Sequence, residues 1–373
     1  MSTTITEWIV NIFGAAVCAL LIGFYYRRSW GLEHGAGYSA QDKLFGRDRM
    51  DANTQVYLSP LLAPILLLIS FIVILQGCTP QETLPAFLGY ACYFMLTSSI
   101  LYAMLLALLP LLRRYFSARA CATLWLLPFF GFVLPGFVFR APRPLISPNA
   151  TVYCLLVIWA AGFVILFTGC ILSHLRLRRT IRHTASAETD PETLRIWQEE
   201  MDALGFLTPV RLVRTPAAHA PFSIGHTKKT RMCILPIHAY TERELRLIFR
   251  HELHHLRRRD TDSKLFFVFC GCLCWFNPLI QLAIRRAADD LELSCDEIVL
   301  EHANEETRSF YAGLLLNSAG ERRGFTTCLS VRAASLRYRL KRVTHAQKTS
   351  EGTVMLMFFM FLFLLCCNGF YLW

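Results

Sequence analysis

Six stretches of the sequence, 8–26, 58–77, 84–112, 121–139, 152–173 and 354–371, are apolar over about the 20 residues that a helix needs to cross a bilayer. In hydrocarbon every backbone amide must find its partner within the protein, so these stretches are expected as helices. The composition agrees, because 54% of the 373 residues are hydrophobic, too many for a water-soluble chain of this length. A seventh run, 265–284, contains Asn277-Pro278 and lies between two polar stretches that carry motifs. It is expected to pack on the membrane face or dip into it, since a full crossing would leave those stretches on opposite sides.

The formal charge of +11 is concentrated beside the apolar runs. Arg27, Arg28, Lys43, Arg47 and Arg49 fall in one loop, Arg113, Arg114 and Arg119 in another, and Arg176, Arg178, Arg179 and Arg182 at the exit of the fifth run. An even count of spans separates these segments. By the positive-inside rule they share the cytosolic side, which turns both termini outward and places 174–352 in the cytosol. The same placement argues against direct nucleic-acid binding, since the charge serves topology. The N-terminal run lacks a basic leader and is expected as an anchoring span rather than a cleaved signal. The 14 cysteines are scattered, with Cys18, Cys92, Cys154, Cys170, Cys366 and Cys367 inside apolar runs, where a thiol behaves as a small hydrophobe. Cys270, Cys272 and Cys274 alternate among Phe, Leu and Trp and read as packing, so no disulfide framework is expected.

Only 174–352 is long enough for a soluble domain. It opens on a charged helix, 191–204, with Asp190 placed to cap it, followed by short β-rich segments at 210–213 and 232–235. A further helix begins at Thr241, where Thr241-Glu242-Arg243-Glu244 has the form of a capping box.

That helix contains His251-Glu252-Leu253-His254-His255. One helical turn separates His251 from His255, so both imidazoles can reach one zinc ion, while Glu252 beside them can take a proton from a water. A catalytic zinc keeps three protein ligands. The next helical stretch offers Glu292 and Asp296, one turn apart, in the arrangement where a downstream Glu completes the ligand set and an Asp steadies it by hydrogen bonding. Cys295 reads as a packed thiol, with approach to the metal as the alternative. His254 points about 100° away from His255 on a helix and reads as solvent-facing or supporting. Asp260, Asp289 and Glu297 read as structural or solvated, and Arg285-Arg286 as a membrane-surface anchor.

In their order, Pro221-Phe222-Ser223-Ile224-Gly225, Ile234-Leu235-Pro236, the His251 to His255 motif with Arg258-Arg259-Asp260, Trp275-Phe276-Asn277-Pro278-Leu279, Glu292 and Cys295-Asp296-Glu297 make the chain resemble the BlaR/MecR-type integral-membrane metallopeptidases. The likeness extends upstream over 84–137 and 159–182. It implies a multi-span α-helical membrane protein with a cytosolic α+β gluzincin-like zinc metallopeptidase domain, zinc on His251, His255 and Glu292, and Glu252 as general base with Asp296 orienting the site. The expected layout is an extension with two spans over 1–83, three family-type spans over 84–173, the catalytic part over 174–352 and a last span over 353–373. Characterised members carry a signal inward, cleave themselves and cause loss of a DNA-binding repressor, which implies a protein substrate, with self-processing expected between 301 and 348. Two departures bear on purpose. The β-lactam-sensing members carry a penicillin-binding domain after the last span, whereas this sequence stops at Trp373, with a membrane sensor as one candidate partner; the other departure is the 1–83 extension, which adds two spans and reads as a segment that holds a partner or senses the bilayer. Rival readings are a housekeeping protease of the HtpX or CAAX kind and a transducer or scaffold without turnover. The strand around Ile234 is expected to pair with an extended substrate.

Overall fold

The computed structural model describes residues 2–34, 79–126, 149–206, 208–225, 230–320, 333–345 and 349–369, with positions 65, 68 and 72. The expected span at 58–77 lies almost wholly outside the described residues, as do 127–139 of the fourth run, 370–371 of the last, and 321–332 and 346–348 of the segment where self-processing is expected.

Helices dominate. The N-terminal helix α1 (Ser2–His34) is followed by α2 (Pro80–Leu112), a short α3 (Ala118–Leu124) and the 35-residue α4 (Ala150–Thr184). Asn149 starts α4 by accepting the amide of Val152 at 3.0 Å, and Arg182 and His183 in its last turn complement the negative end of the helix dipole. Among the described residues, Met95–Leu112 within α2 and all of α4 are long and apolar enough to cross a membrane. The described start of the fourth apolar run differs from expectation. It forms α3, buried throughout, with a turn at Trp125, whose indole Nε1 donates to Asp290 at 2.7 Å. Ser117 and Arg119 supply polar bonds that lipid could not satisfy, so this part packs inside the protein.

The polar region holds a four-stranded mixed sheet of order β1-β2-β4-β3, built from β1 (Ser186–Ala187), β2 (Arg211–Thr215), β3 (Phe222–Ile224) and β4 (Met232–Pro236). β2 and β4 run parallel, with Val213 opposite Ile234, and β3 is antiparallel to β4. Ile234 is therefore interior, with β2 and β3 on its two sides. The expectation that its strand pairs with a substrate is corrected on this point: among the described residues the edge strands are β1 and β3, and it is β3 that lies beside β4. Two helices, α5 (Pro191–Ala203) and α6 (Glu242–Arg258), pack on the sheet through Ile196, Trp197, Leu245, Phe249 and Leu253, with Trp197 edge-on to Phe249 at 4.8 Å. Asp190 caps α5 by accepting the Thr193 amide at 2.9 Å.

The run 265–284 is not one continuous helix. It splits into α7 (Asp260–Leu273) and α8 (Pro278–Val299), which reverse direction at 274–277. The reversal is seated among the apolar helices: Trp159 of α4 donates to the carbonyl of Leu273 at 2.9 Å, and Asn277 Nδ2 donates to Ser99 of α2 at 2.7 Å. Gln281 donates to the carbonyls of Gly271 and Cys274, while Asn277 Oδ1 accepts the amides of Leu279 and Ile280. The irregular backbone at the bend thus finds partners inside the protein, as buried amides and carbonyls require. Three further helices, α9 (Glu305–Gly320), α10 (Ala333–Thr344) and α11 (Thr353–Gly369), complete the described fold, and α11 packs along α1.

Trp275 fits the bend only because residue 162 has no side chain; a Cβ there would lie 2.6 Å from Trp275 Cε2, whereas one at Gly169 of the same helix would meet nothing within 4 Å. Gly162→Leu is expected to lower unfolding stability in detergent by about 1–3 kcal/mol, with Gly169→Leu close to neutral. Equal stability of the two variants in a thermal melt would contradict this seating.

Candidate metal centre

The capping box is formed as the sequence expects: Thr241 Oγ1 accepts the Glu244 amide at 3.3 Å, and the Glu244 carboxylate accepts the Thr241 amide at 2.8 Å. From that start the 3.6-residue period carries His251 and His255 to the face turned toward α8, where Glu292 projects back. His251 Nε2 and His255 Nε2 face each other at 3.1 Å, and the Glu292 oxygens lie 3.6 Å from the first and 3.7 Å from the second. Tetrahedral zinc with bonds of about 2.0–2.2 Å needs donors about 3.3 Å apart, so this trio matches one metal ion in both spacing and chemistry.

The histidines present lone pairs to that point because their other nitrogens are engaged. His255 Nδ1 lies 2.7 Å from Asp260 Oδ2, and His251 Nδ1 lies 3.0 Å from the Tyr311 hydroxyl, which itself donates to Asp296 Oδ1 at 2.7 Å. A proton on each Nδ1 satisfies both acceptors and leaves each Nε2 unprotonated. Asp296 is fully buried behind His251 and is held by Arg339 through two bonds of 2.7 Å. Arg339 also reaches Glu292 at 3.3 Å, and Lys264 of α7 donates to Glu292 at 2.9 Å. Burial alone would raise the Glu292 carboxyl, yet Lys264 and the histidines hold it well below the usual carboxylate range. Burial opposes a proton on His255, but Cys295, Glu292 and Asp260 outweigh it and push the imidazole up; the same negative field favours a divalent cation. Glu252 is buried on the adjoining face, and no hydrogen bond ties its carboxylate to another of the described residues.

Asp260 is close to His255 through a local distortion. Five positions along an unbroken helix would turn a side chain about 140° away. Arg259, the one non-glycine residue at positive φ among those described, takes φ 57° and ψ 40°, ends α6 and turns the chain back. That conformation costs about 1–2 kcal/mol, offset here by the bond between Asp260 and His255.

A family model for the BlaR1 peptidase M56 matches residues 140–343, which hold this entire cluster. The chain belongs to the BlaR1 peptidase M56 family. Relatives of the M56 chain include the regulatory protein BlaR1 of Bacillus licheniformis, 22% identical over 182 residues, which are 49% of this chain and 30% of the relative. The methicillin resistance mecR1 protein of Staphylococcus aureus is 23% identical over 171 residues, 44% of this chain and 28% of that protein. Staphylococcus aureus BlaR1 is 29% identical over 77 residues, 21% of this chain and 13% of its own length. The chain thus spans less than a third of the length of these relatives.

The M56 fold brings together all five residues singled out from the sequence: His251, Glu252 and His255 on α6, Glu292 and Asp296 on α8. Other expectations need correction. Of the two readings open for Asp260, structural or solvated, the solvated one falls, since it is buried against His255; likewise His254 is buried rather than solvent-facing, its Nδ1 3.7 Å from Glu33. Cys295 packs behind the ring of His255, with Sγ 3.4 Å from Nδ1, on the side away from the paired Nε2 atoms. Glu297 is structural, accepting the Ala118 amide at 2.8 Å and Arg342 at 2.9 Å. Sequence reasoning gave no role to Tyr311, Arg339 or Lys264. The first two lie in segments distant along the chain, and nothing local distinguishes one arginine of α10 from another.

Asp260→Ala and Tyr311→Phe each remove a partner of a histidine Nδ1 and are expected to lower zinc affinity by about 10–100-fold. Chelator competition on the purified chain measures this, and unchanged affinity in both variants would remove Asp260 and Tyr311 from the site.

Proposed function

We propose that this M56 chain is a multi-pass membrane zinc metallopeptidase that hydrolyses peptide bonds on the cytosolic side, with His251, His255 and Glu292 as ligands, Glu252 as general base and Asp296 orienting His251. The observation that carries the reading is the meeting of the two histidine Nε2 atoms and the Glu292 carboxylate at tetrahedral spacing, beside the buried Glu252, whose carboxylate is tied to no other of the described residues. A bound divalent metal such as zinc supplies Lewis acidity at the scissile carbonyl and lowers the pKa of a water. Glu252 takes the proton from the attacking water and delivers it to the leaving amine. Asp296, Arg339 and Tyr311 keep the His251 ring in one tautomer and orientation, and Asp260 does so for His255.

An extended substrate is best received by the open edge of β3. Ser223 at the middle of β3 donates to the carbonyl of Glu252 at 3.4 Å, which sets that edge beside the base. Backbone pairing there would bring a peptide past Glu252 with little demand on sequence. The basic segments at 27–57, 113–120 and 174–182 support a cytosolic catalytic face with outward termini, and the layout of 1–83, 84–173, 174–352 and 353–373 follows from them. The relatives' printed names, regulatory protein BlaR1 and methicillin resistance mecR1 protein, favour a signalling role here; the reading taken for it is self-cleavage or cleavage of a cytosolic repressor.

Glu252→Gln is expected to lower peptide hydrolysis in liposomes by about 10²–10⁴-fold while zinc content stays at the wild-type level. A variant as fast as wild type on a native substrate refutes the assignment. Quantitative mass spectrometry of membranes and cytosol with and without Glu252 reads the purpose: one or a few cleaved targets, a repressor or the chain itself among them, is the expected result, and many misfolded membrane proteins would favour quality control instead.

A further inference from the structure

Arg258 lies seven positions after His251 and three after His255, so it extends the ligand-bearing stripe of α6 toward the membrane end of the helix. It faces α8 as the ligands do. Its Nη1 donates to Ser294 Oγ at 2.6 Å and lies 3.4 Å from Cys295 Sγ, both between Glu292 and Asp296 in sequence. The guanidinium therefore joins the two ligand-bearing helices next to the metal point. It is buried, and neither Ser294 nor Cys295 brings a carboxylate to it. Among the described residues the carboxylate within ion-pair reach of Arg258 is Glu33, which bonds its Nε.

Glu33 comes from the last turn of α1, outside the 140–343 stretch that matches the family. Its side chain is fully buried, its second oxygen pairs with Arg119 of α3, and His254 of α6 approaches it at 3.7 Å. Arg257 fastens the same turn by donating to the Leu32 carbonyl at 2.7 Å. Upstream, α1 is held against α11: Gly23 leaves room for Met357, and the Tyr26 hydroxyl donates to the Glu351 carbonyl at 2.9 Å. A membrane helix thus ends in a carboxylate that neutralises the cation clamping α6 to α8. Removing one partner of a buried ion pair leaves an uncompensated charge, which must move or draw in water.

We infer that Glu33 is a positioning residue of the metal centre, which acts through Arg258 to hold the His251/His255 helix and the Glu292 helix at ligand spacing, so that the seating of α1 governs metal affinity and turnover. This inference rests on the metallopeptidase reading given above. It makes α1 a physical connection between the bilayer and the ligand set.

The test uses the full chain in nanodiscs, with zinc affinity from chelator competition, the visible spectrum of the cobalt-substituted protein, kcat and KM, and the melting temperature. Glu33→Gln is expected to weaken zinc about tenfold, the low end of the range for groups that support metal ligands, to change the cobalt spectrum, and to lower kcat more than it raises KM. His34→Ala, one position on, should leave all of these at wild-type values. In an Arg258→Gln background, Glu33→Gln should have no further effect on zinc affinity, because Glu33 acts through that side chain. Wild-type zinc affinity and spectrum in Glu33→Gln, a lowered melting temperature with unchanged affinity, or additive effects of the two substitutions would each overturn the inference and leave the peptidase reading standing. If Glu33→Gln does not fold, Glu33→Asp carries the test: weaker zinc binding supports the inference and equal binding overturns it. A wild-type chain that binds no zinc overturns both readings.

Discussion

Everything in the site depends on the chain turning back at 274–277. The histidines precede that bend and Glu292 follows it, so a straight apolar helix from 260 to 284 would carry the third donor to the far side of a bilayer. A bend at membrane depth exposes carbonyls and amides that lipid cannot satisfy. Here Trp159, Gln281 and Asn277 meet them, and Ser99 holds Asn277 in turn. The hydrogen-bond partners come from α2, α4 and the hairpin itself, so the apolar helices and the helices that bear His251 and Glu292 are parts of one construction.

Buried charge is the second organising feature. Asp296, Asp290 and Glu33 are each held by arginine, and each arginine comes from an element other than the one bearing its carboxylate. In a low-dielectric interior such pairs are costly to form and costlier to break, so they define register more than they add stability. Arg113 to Asp290 sets the turn after α2 against α8, Arg339 to Asp296 sets α10 against α8, and Arg258 to Glu33 sets α6 against α1. The ligand-bearing helix α8 is thus tied on two sides by ion pairs and joined to α6 by Arg258.

Much of this was legible in advance because it is local. Apolar runs, the Asp190 cap, the capping box at Thr241 and the one-turn spacing of His251 with His255 and of Glu292 with Asp296 depend on helical geometry within a few residues. Strands β2 and β4 were visible as apolar, branched segments, whereas β1 and β3, two and three residues long, carry too little pattern to be seen. The hairpin was expected only as a helix that lies on or dips into the membrane, since Asn277-Pro278 marks a break without saying which way the chain leaves it.

The sequence by itself determined that this chain builds apolar helices, a helix with His251 and His255 on one face and a second helix with Glu292 and Asp296 on one face, because periodicity fixes which side chains share a face. Only the tertiary structure decided which nitrogen of each histidine is presented, since that turns on Asp260 reached through a left-handed Arg259, and on Tyr311, sixty residues from His251. It likewise decided that Glu33, on an N-terminal helix with no motif of its own, lies against the catalytic helices. Buried charges must be paired, and the partner is chosen by proximity in the fold rather than by distance along the chain.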